Sequence, residues 1–92
     1  MPYITQCKRA VLNPAIETIL NALRELECDD PANDMGGNLN YAFTKILHQC
    51  YGERYAEMAQ AVSVLEMAKL EFYRKVAAPY EEQKCYDNGP VE

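Results

Sequence analysis

Apolar side chains recur at steps of three and four residues in three stretches of the chain, which is the spacing of one face of an α-helix. Asn13 and Pro14 form a favourable helix start, because asparagine caps free amides and proline has a preset φ angle. The first two stripes consist of Ile16, Ile19, Leu20, Leu23 and Leu26, and of Leu39, Phe43, Ile46, Leu47 and Cys50. The pattern predicts helices at about 14–27, 38–51 and 54–78, with Asn38 as the cap of the second.

The third stripe is the longest and has a near-heptad spacing. It consists of Tyr55, Met58, Val62, Leu65, Phe72 and Val76, and only Lys69 interrupts it. Pro79 is expected to break or kink this helix, because proline removes an amide donor and clashes with the preceding turn. A helix over 54–78 spans roughly 38 Å, which is long for 92 residues. An oligomer, or a partner that covers part of the stripe, is therefore left open.

Turn-forming residues predict a loop at 29–37 between the first two helices, and this loop is the most negative segment of the chain. Near the N-terminus, residues 2–4 look extended, whereas residues 5–12 have the pattern of a short helix. Residues 80–86 predict one or two further helical turns, and Asn88-Gly89-Pro90 then ends regular structure. The sequence thus predicts a compact all-α, three-helix domain over residues 1–92, with short helical or extended pieces at both termini. A small β-ribbon formed by the termini is left open.

The charge balance narrows the class of partner. The chain has 9 Lys and Arg against 14 Asp and Glu, which gives a net charge of −5 at pH 7. This balance disfavours direct binding of duplex DNA, because such binding requires many basic contacts to phosphates. It also disfavours a polybasic membrane anchor. No apolar run has the length of a transmembrane helix, and the residues Met1-Pro2-Tyr3-Ile4-Thr5 have no secretory pattern. We therefore expect a soluble protein of the cytoplasm.

The residues that carry chemistry in enzymes and metal sites lack the necessary spacing. Cys7, Cys28, Cys50 and Cys85 have no paired spacing, which favours free, mostly buried thiols over zinc ligands or disulfides. The single histidine, His48, has no Ser, Cys or carboxylate at a helical spacing that would form a catalytic chain. The Gly36-Gly37 pair lacks the following Lys-Ser/Thr of a phosphate loop. We therefore expect no enzyme activity, no cofactor and no metal.

Tyrosines and bases point instead to binding. Tyrosine accounts for seven of the nine aromatic residues, and a small domain cannot bury seven phenols, so several must lie at the surface. Most charges form helix-surface pairs such as Arg54–Glu57, Glu66–Lys69 and Glu71–Arg74. Two groups stand apart, namely Lys8-Arg9 and the cluster Tyr73-Arg74-Lys75 with Tyr80. Tyrosine and arginine are favoured at interaction hot spots.

Three segments and the N-terminus carry a family resemblance: Leu39-Asn40-Tyr41-Ala42-Phe43-Thr44, Ala68 to Glu81 (AKLEFYRKVAAPYE), Asn88-Gly89-Pro90-Val91 and Met1-Pro2-Tyr3-Ile4. They resemble short phage- and prophage-encoded proteins, and within that family an anti-CRISPR protein directed at type I-F surveillance complexes. The resemblance implies a non-enzymatic inhibitor that docks on the crRNA-guided complex in the bacterial host cytoplasm and prevents hybridisation of target DNA. The implied partners are Cas proteins, with possible contact to crRNA.

Charged side chains and tyrosines are the candidate binding residues for such a target. Acidic side chains would face the Lys- and Arg-lined channel for nucleic acid, and basic side chains would face crRNA phosphates or acidic protein patches. The candidates are Lys8, Arg9, Asp29, Asp30, Asp34, Tyr41, Tyr73, Arg74, Lys75 and Tyr80.

Two alternatives remain open at this point. The first is an oligomeric sponge that sequesters a nucleotide immune signal, with Tyr73, Arg74, Tyr80 and a polar pocket at Asn40 and Thr44 as its binding groups. In that interpretation the i,i+4 pair Asn40 and Thr44 forms the pocket floor, whereas a structural interpretation makes it a buried hydrogen-bonded cluster. The second alternative is a phage structural or adaptor protein.

Overall fold

Helices make up nearly all of the described chain. The computed structural model describes residues 2–29 and 34–91, except for the side chain of Asp29. In chain order the elements are α1 (Gln6–Asp29), α2 (Met35–Cys50), α3 (Tyr55–Phe72), a π-helical segment (Tyr73–Ala77) and α4 (Ala78–Asn88). No strand occurs within these ranges, so the described parts of the termini form no β-ribbon. The predicted all-α class is confirmed.

The chain divides into two units, which are described separately. One unit is Tyr3–Gly52, and it contains α1 and α2, which contact each other. The other joins Pro2 to residues 53–91, and it contains α3, the π segment and α4 as one continuous helical run. The single domain over residues 1–92 stays a prediction.

The first helix begins one turn after Ile4 rather than at Asn13-Pro14. The Arg9 amide donates to the Thr5 carbonyl at 3.0 Å, and Pro14 lies inside α1. The predicted start at residue 14 is therefore wrong, and the short helix predicted over residues 5–12 is the first part of α1. Residues 6–12 contain no glycine or proline, which favours helix there. α1 continues through Pro14, although a proline inside a helix removes one donor and clashes with the preceding turn.

The second helix is capped by Asp34 rather than by Asn38. The Asp34 carboxylate accepts from the Gly37 amide at 2.8 Å, and the Asn38 amide donates to the Asp34 carbonyl at 2.9 Å. A Cβ atom on Gly37 would lie 2.3 Å from Asp34 Oδ2, so the carboxylate reaches the amide only because residue 37 is glycine. The predicted loop 29–37 is accordingly shorter. Asp29 belongs to α1, residues 35–37 belong to α2, and residues 30–33 lie outside the described part of the chain.

We expect Asp34→Ala to lower the free energy of unfolding by about 1 kcal/mol, because the Gly37 amide loses its side-chain acceptor. Thermal unfolding followed by circular dichroism measures this loss. Asp34→Asn is the matched control, because the asparagine oxygen can accept the same hydrogen bond and should keep most of the stability. An equal loss in both variants would contradict the capping role.

The third helical run continues through Pro79 and ends where the sequence predicted. Pro79 was expected to break or kink the helix. The break does not occur, because the π segment leads directly into α4, which contains Pro79; the kink stays a prediction. At the far end, the Gly89 amide donates to the Cys85 carbonyl at 2.8 Å, and Gly89 has a φ of 88°. The predicted stop at Asn88-Gly89-Pro90 is confirmed.

Few side chains are buried. Within the described residues Leu23 is the one buried hydrophobic side chain, with 8% of its surface exposed. Large apolar side chains on all four α-helices are at least one-third exposed, among them Leu26, Phe43, Val62 and Tyr80. An isolated amphipathic helix is marginal in water and depends on tertiary or intermolecular packing. The helices therefore present apolar surface that is available for contact.

Candidate interaction surface

The π segment lies directly before α4, whose second residue is Pro79. The Ala78 amide donates to the Tyr73 carbonyl five residues earlier, and the Tyr73 amide is shared between the Lys69 and Leu70 carbonyls. In a regular α-helix the proline ring would clash with the carbonyl four residues before it, and that carbonyl would have no amide donor. Widening the preceding turn by one residue relieves this clash. Such π segments occur frequently at functional sites.

The extra residue brings Tyr73 and Glu81 onto one side of the helix. In a regular α-helix, residues eight apart are offset by about 80° around the axis. An inserted residue makes the effective spacing seven, which reduces the offset to about 20°. The Tyr73 hydroxyl accordingly lies 3.5 Å from Glu81 Oε2, within reach of a weak hydrogen bond. Tyr73 is still half exposed.

An open groove of about 710 Å³ follows from this arrangement. Its lining consists of Tyr73, Arg74, Ala78, Pro79, Glu81, Glu82, Lys84, Cys85, Gly89 and Val91. Two bases and two acids therefore stand among aromatic and aliphatic groups. The volume is in the range of ligand sites, but the groove is open to solvent on one side. An open groove of mixed charge is better suited to a protein segment than to an enclosed small molecule.

Each basic side chain around the groove already has a local partner. Arg74 Nη2 donates to both oxygens of Glu71 at 3.0 and 3.1 Å, as the spacing predicted. Lys84 Nζ lies 5.6 Å above the centre of the Tyr80 ring, within the range of a cation–π contact. These contacts hold long side chains in place, which reduces the entropy lost when a partner binds.

The structure separates the predicted candidates into two groups. Tyr73 and Arg74 line the groove, and Lys75 and Tyr80 belong to the same helical run without lining it. The other candidates belong to the α1–α2 unit, namely Lys8, Arg9, Asp29, Asp34 and Tyr41. Asp30 and the Asp29 side chain lie outside the described part of the chain.

Three candidates of the α1–α2 unit have structural contacts. Arg9 is half-buried and donates from Nε to the Ile4 carbonyl at 2.8 Å, which holds the residues before α1. Asp34 caps α2. Tyr41 is exposed, with Lys45 Nζ 5.7 Å above its ring centre. Lys8 is an exposed side chain on α1.

Asn40 and Thr44 do not form the buried cluster that their spacing predicted. The Thr44 hydroxyl donates to Asn40 Oδ1 at 3.0 Å, and both side chains are exposed. The pair is an i,i+4 contact on the α2 surface.

Several residues of the groove were not among the binding residues predicted from the sequence. Glu81, Glu82, Lys84 and Cys85 became part of the surface because α4 continues past Pro79, where a break was expected. The i,i+4 spacing of Tyr80 and Lys84 is the signal in the sequence that indicates this continuation.

All four cysteines are free and exposed. The prediction of buried thiols is wrong, because so small a helical unit has almost no interior to hold them. In the part of the chain that the structure describes, no group of three or more His, Cys, Asp or Glu side chains is placed to hold a metal ion. Among the described helices, none combines the length and apolarity needed to cross a membrane.

The fold and the groove define a small all-α protein with an open aromatic and charged surface. A family model described as a domain of unknown function (DUF6899) matches residues 1–91, and the chain belongs to this family. No curated protein and no solved structure gives a significant match to the chain.

Proposed function

We propose that the protein is a phage-encoded, non-enzymatic inhibitor that docks on the type I-F crRNA-guided surveillance complex and blocks hybridisation of target DNA. It would act in the cytoplasm of the bacterial host and bind Cas proteins, with crRNA within reach of its basic side chains. The observation that carries the binding role is the open groove at the π segment. The choice of target rests on the resemblance.

The groove and the resemblance involve the same residues, which supports the proposal. Of the segments that resemble the phage proteins, 68–81 contributes Tyr73, Arg74 and Glu81 to the groove lining, among others, and 88–91 contributes Gly89 and Val91. If the protein acts by docking, the segments that carry the resemblance are expected to overlap with the binding groove.

Charge and side-chain type favour a protein partner. The chain has a net charge of −5, so a surface lined with Lys and Arg for nucleic acid would attract it over several ångströms of solvent. Within the groove, the half-exposed Tyr73 offers a large ring and a hydroxyl, a combination typical of hot spots. Arg74 and Glu82 supply opposite charges for the rim of an interface.

We expect Tyr73→Ala to weaken binding to the purified type I-F complex at least about tenfold, because the ring forms the wall of the groove. Tyr86→Ala is the matched control. Tyr86 belongs to the same helical run, is 86% exposed and does not line the groove, so its loss should change affinity less than about twofold. Affinity is read by titrating the complex with labelled protein, and inhibition by a mobility-shift assay of target DNA.

The assay separates the proposed target from the proposed surface. If saturating protein leaves DNA binding by the complex unchanged, the inhibitor role is wrong. If both tyrosine variants weaken binding equally, the groove is not the contact surface. If the isolated protein instead binds a cyclic dinucleotide in calorimetry, the nucleotide sponge replaces the inhibitor.

A further inference from the structure

A second surface on α3 has the pattern of a helix that pairs with another helix. Over about two and a half heptads, from Tyr55 to Phe72, five of the six a and d positions are apolar. These positions are Tyr55, Met58, Val62, Leu65 and Phe72, and they are 43–85% exposed. Lys69 occupies the remaining a position. We call these six residues the heptad face.

The π segment sets the end of the heptad face. Val76 would continue the heptad in a regular helix, but the wider turn between Tyr73 and Ala77 rotates it away from Phe72. The face is therefore confined to α3, which is 18 residues long. Its length is roughly 27 Å at 1.5 Å per residue.

A different side of α3 is next to Pro2. A cleft of about 260 Å³ is lined by Pro2 together with Gln60, Ser63, Val64, Met67 and Ala68. These helix residues occupy b, c, f and g positions of the heptad. Pro2 therefore lies on the side of α3 away from the a and d positions.

We propose that the heptad face binds the heptad face of a second copy of this chain, with the two α3 helices antiparallel. The proposal is independent of the groove and of the surveillance complex. Full overlap of two antiparallel helices pairs Tyr55 with Phe72 of the partner copy, Val62 with Leu65, and Lys69 with Met58. Every a residue then faces a d residue, and a two-fold axis relates the two copies.

Charge selects the antiparallel arrangement. In a parallel pair each a position faces itself, so Lys69 would meet Lys69 of the partner copy near the C-terminal end of the interface. In the antiparallel pair Lys69 faces the flexible side chain of Met58 and can extend its amine to solvent. The lysine is 71% exposed and bonded to Glu66 at 3.3 Å, so its charge has a partner outside the heptad face.

The area of the heptad face suits a dimer. The exposed fractions of its five apolar side chains correspond to roughly 300–600 Å² of apolar surface per copy. An interface of standard size takes about 800 Å² from each partner. With the flanking alanines Ala59 and Ala61 included, the face reaches the lower end of the standard range, about 600 Å² per partner, and leaves little side-chain bulk between the two helices.

The test is sedimentation equilibrium of the full chain over concentrations from about 1 to about 500 µM. We expect the mass to rise with concentration from 10.5 kDa towards twice that value. Val62→Glu should raise the dissociation constant at least about tenfold, because it places a charge opposite Leu65. Val64→Glu is the matched control on the same helix, at a c position, and should leave the constant within about threefold.

Orientation is tested by Met58→Glu. In the antiparallel pair the new carboxylate faces Lys69 of the partner copy, so dimerisation should persist, whereas in a parallel pair it would face itself. A monomer at every concentration, or equal weakening by Val62→Glu and Val64→Glu, would overturn the heptad-face dimer. Loss of the dimer in Met58→Glu with unchanged helicity would overturn the antiparallel register. All of these readings use the isolated protein, so they do not depend on the proposed inhibitor function.

Discussion

Leu23→Ala is expected to lower the free energy of unfolding by about 2–3 kcal/mol, as measured by urea denaturation followed by circular dichroism. Leu23 is 8% exposed and is the buried hydrophobic side chain of the described residues. Removing its branched end therefore costs both the transfer of apolar surface and the cavity that remains. For a small protein this is a large share of a total stability of roughly 5–15 kcal/mol.

Leu26→Ala makes the same chemical change one helical turn further along α1, where the side chain is 49% exposed. It should cost less than about 1 kcal/mol, because much less apolar surface returns to water and no cavity forms. Similar losses in the two variants would show that Leu23 is no more important for packing than its exposed neighbours.

Pro79→Ala is expected to raise the free energy of unfolding by about 1–3 kcal/mol and to abolish the groove. Alanine restores the missing amide and removes the ring that clashes with the preceding turn, so the π segment can become regular α-helix. Tyr73 and Glu81 would then lie about 80° apart around the helix, and the contact between them would be lost. Thermal unfolding measures the stability. Under the proposed function, binding to the type I-F complex should also fall at least about tenfold, as expected for Tyr73→Ala.

Pro90→Ala is the control for this prediction. Pro90 follows the end of α4, where no helical bond is lost. Its replacement should leave the π segment intact and should not raise stability, because the loss of a loop proline costs at most about 1 kcal/mol. A Pro79→Ala protein that is no more stable, and in which the Tyr73 and Glu81 side chains remain in contact by NMR, would mean that the π segment has another cause.

The helical class and the last helix end could be predicted because they depend on local chemistry. Apolar residues at helical spacing define α1, α2 and α3, and Gly89 supplies the backbone conformation that ends α4. Two helix starts could not be predicted, because several residues compete for each. Asn13-Pro14 is a good start in isolation, but the residues before it continue the helix, and Asp34 takes the capping role expected of Asn38.

The groove could be predicted only in part. The cluster of Tyr73, Arg74 and Lys75 indicated a binding surface, because aromatic and basic residues alternate there. The groove residues after Pro79 could not be predicted, because the sequence alone does not show how the helix accommodates this proline. A proline can end a helix, kink it or be accommodated by a π turn, and the sequence around residue 79 is compatible with each outcome.

The two glycines at helix ends differ in what they would tolerate if replaced. At Gly37 the restriction is spatial, because any side chain would collide with the capping carboxylate, which itself can move away. At Gly89 a Cβ atom would have nothing within 4 Å, and the restriction is the backbone, with φ at 88° and ψ at 157°. That region belongs almost entirely to glycine. The strain of a substitution at position 89 therefore does not depend on the size of the side chain. Alanine and tryptophan would carry the same backbone strain there.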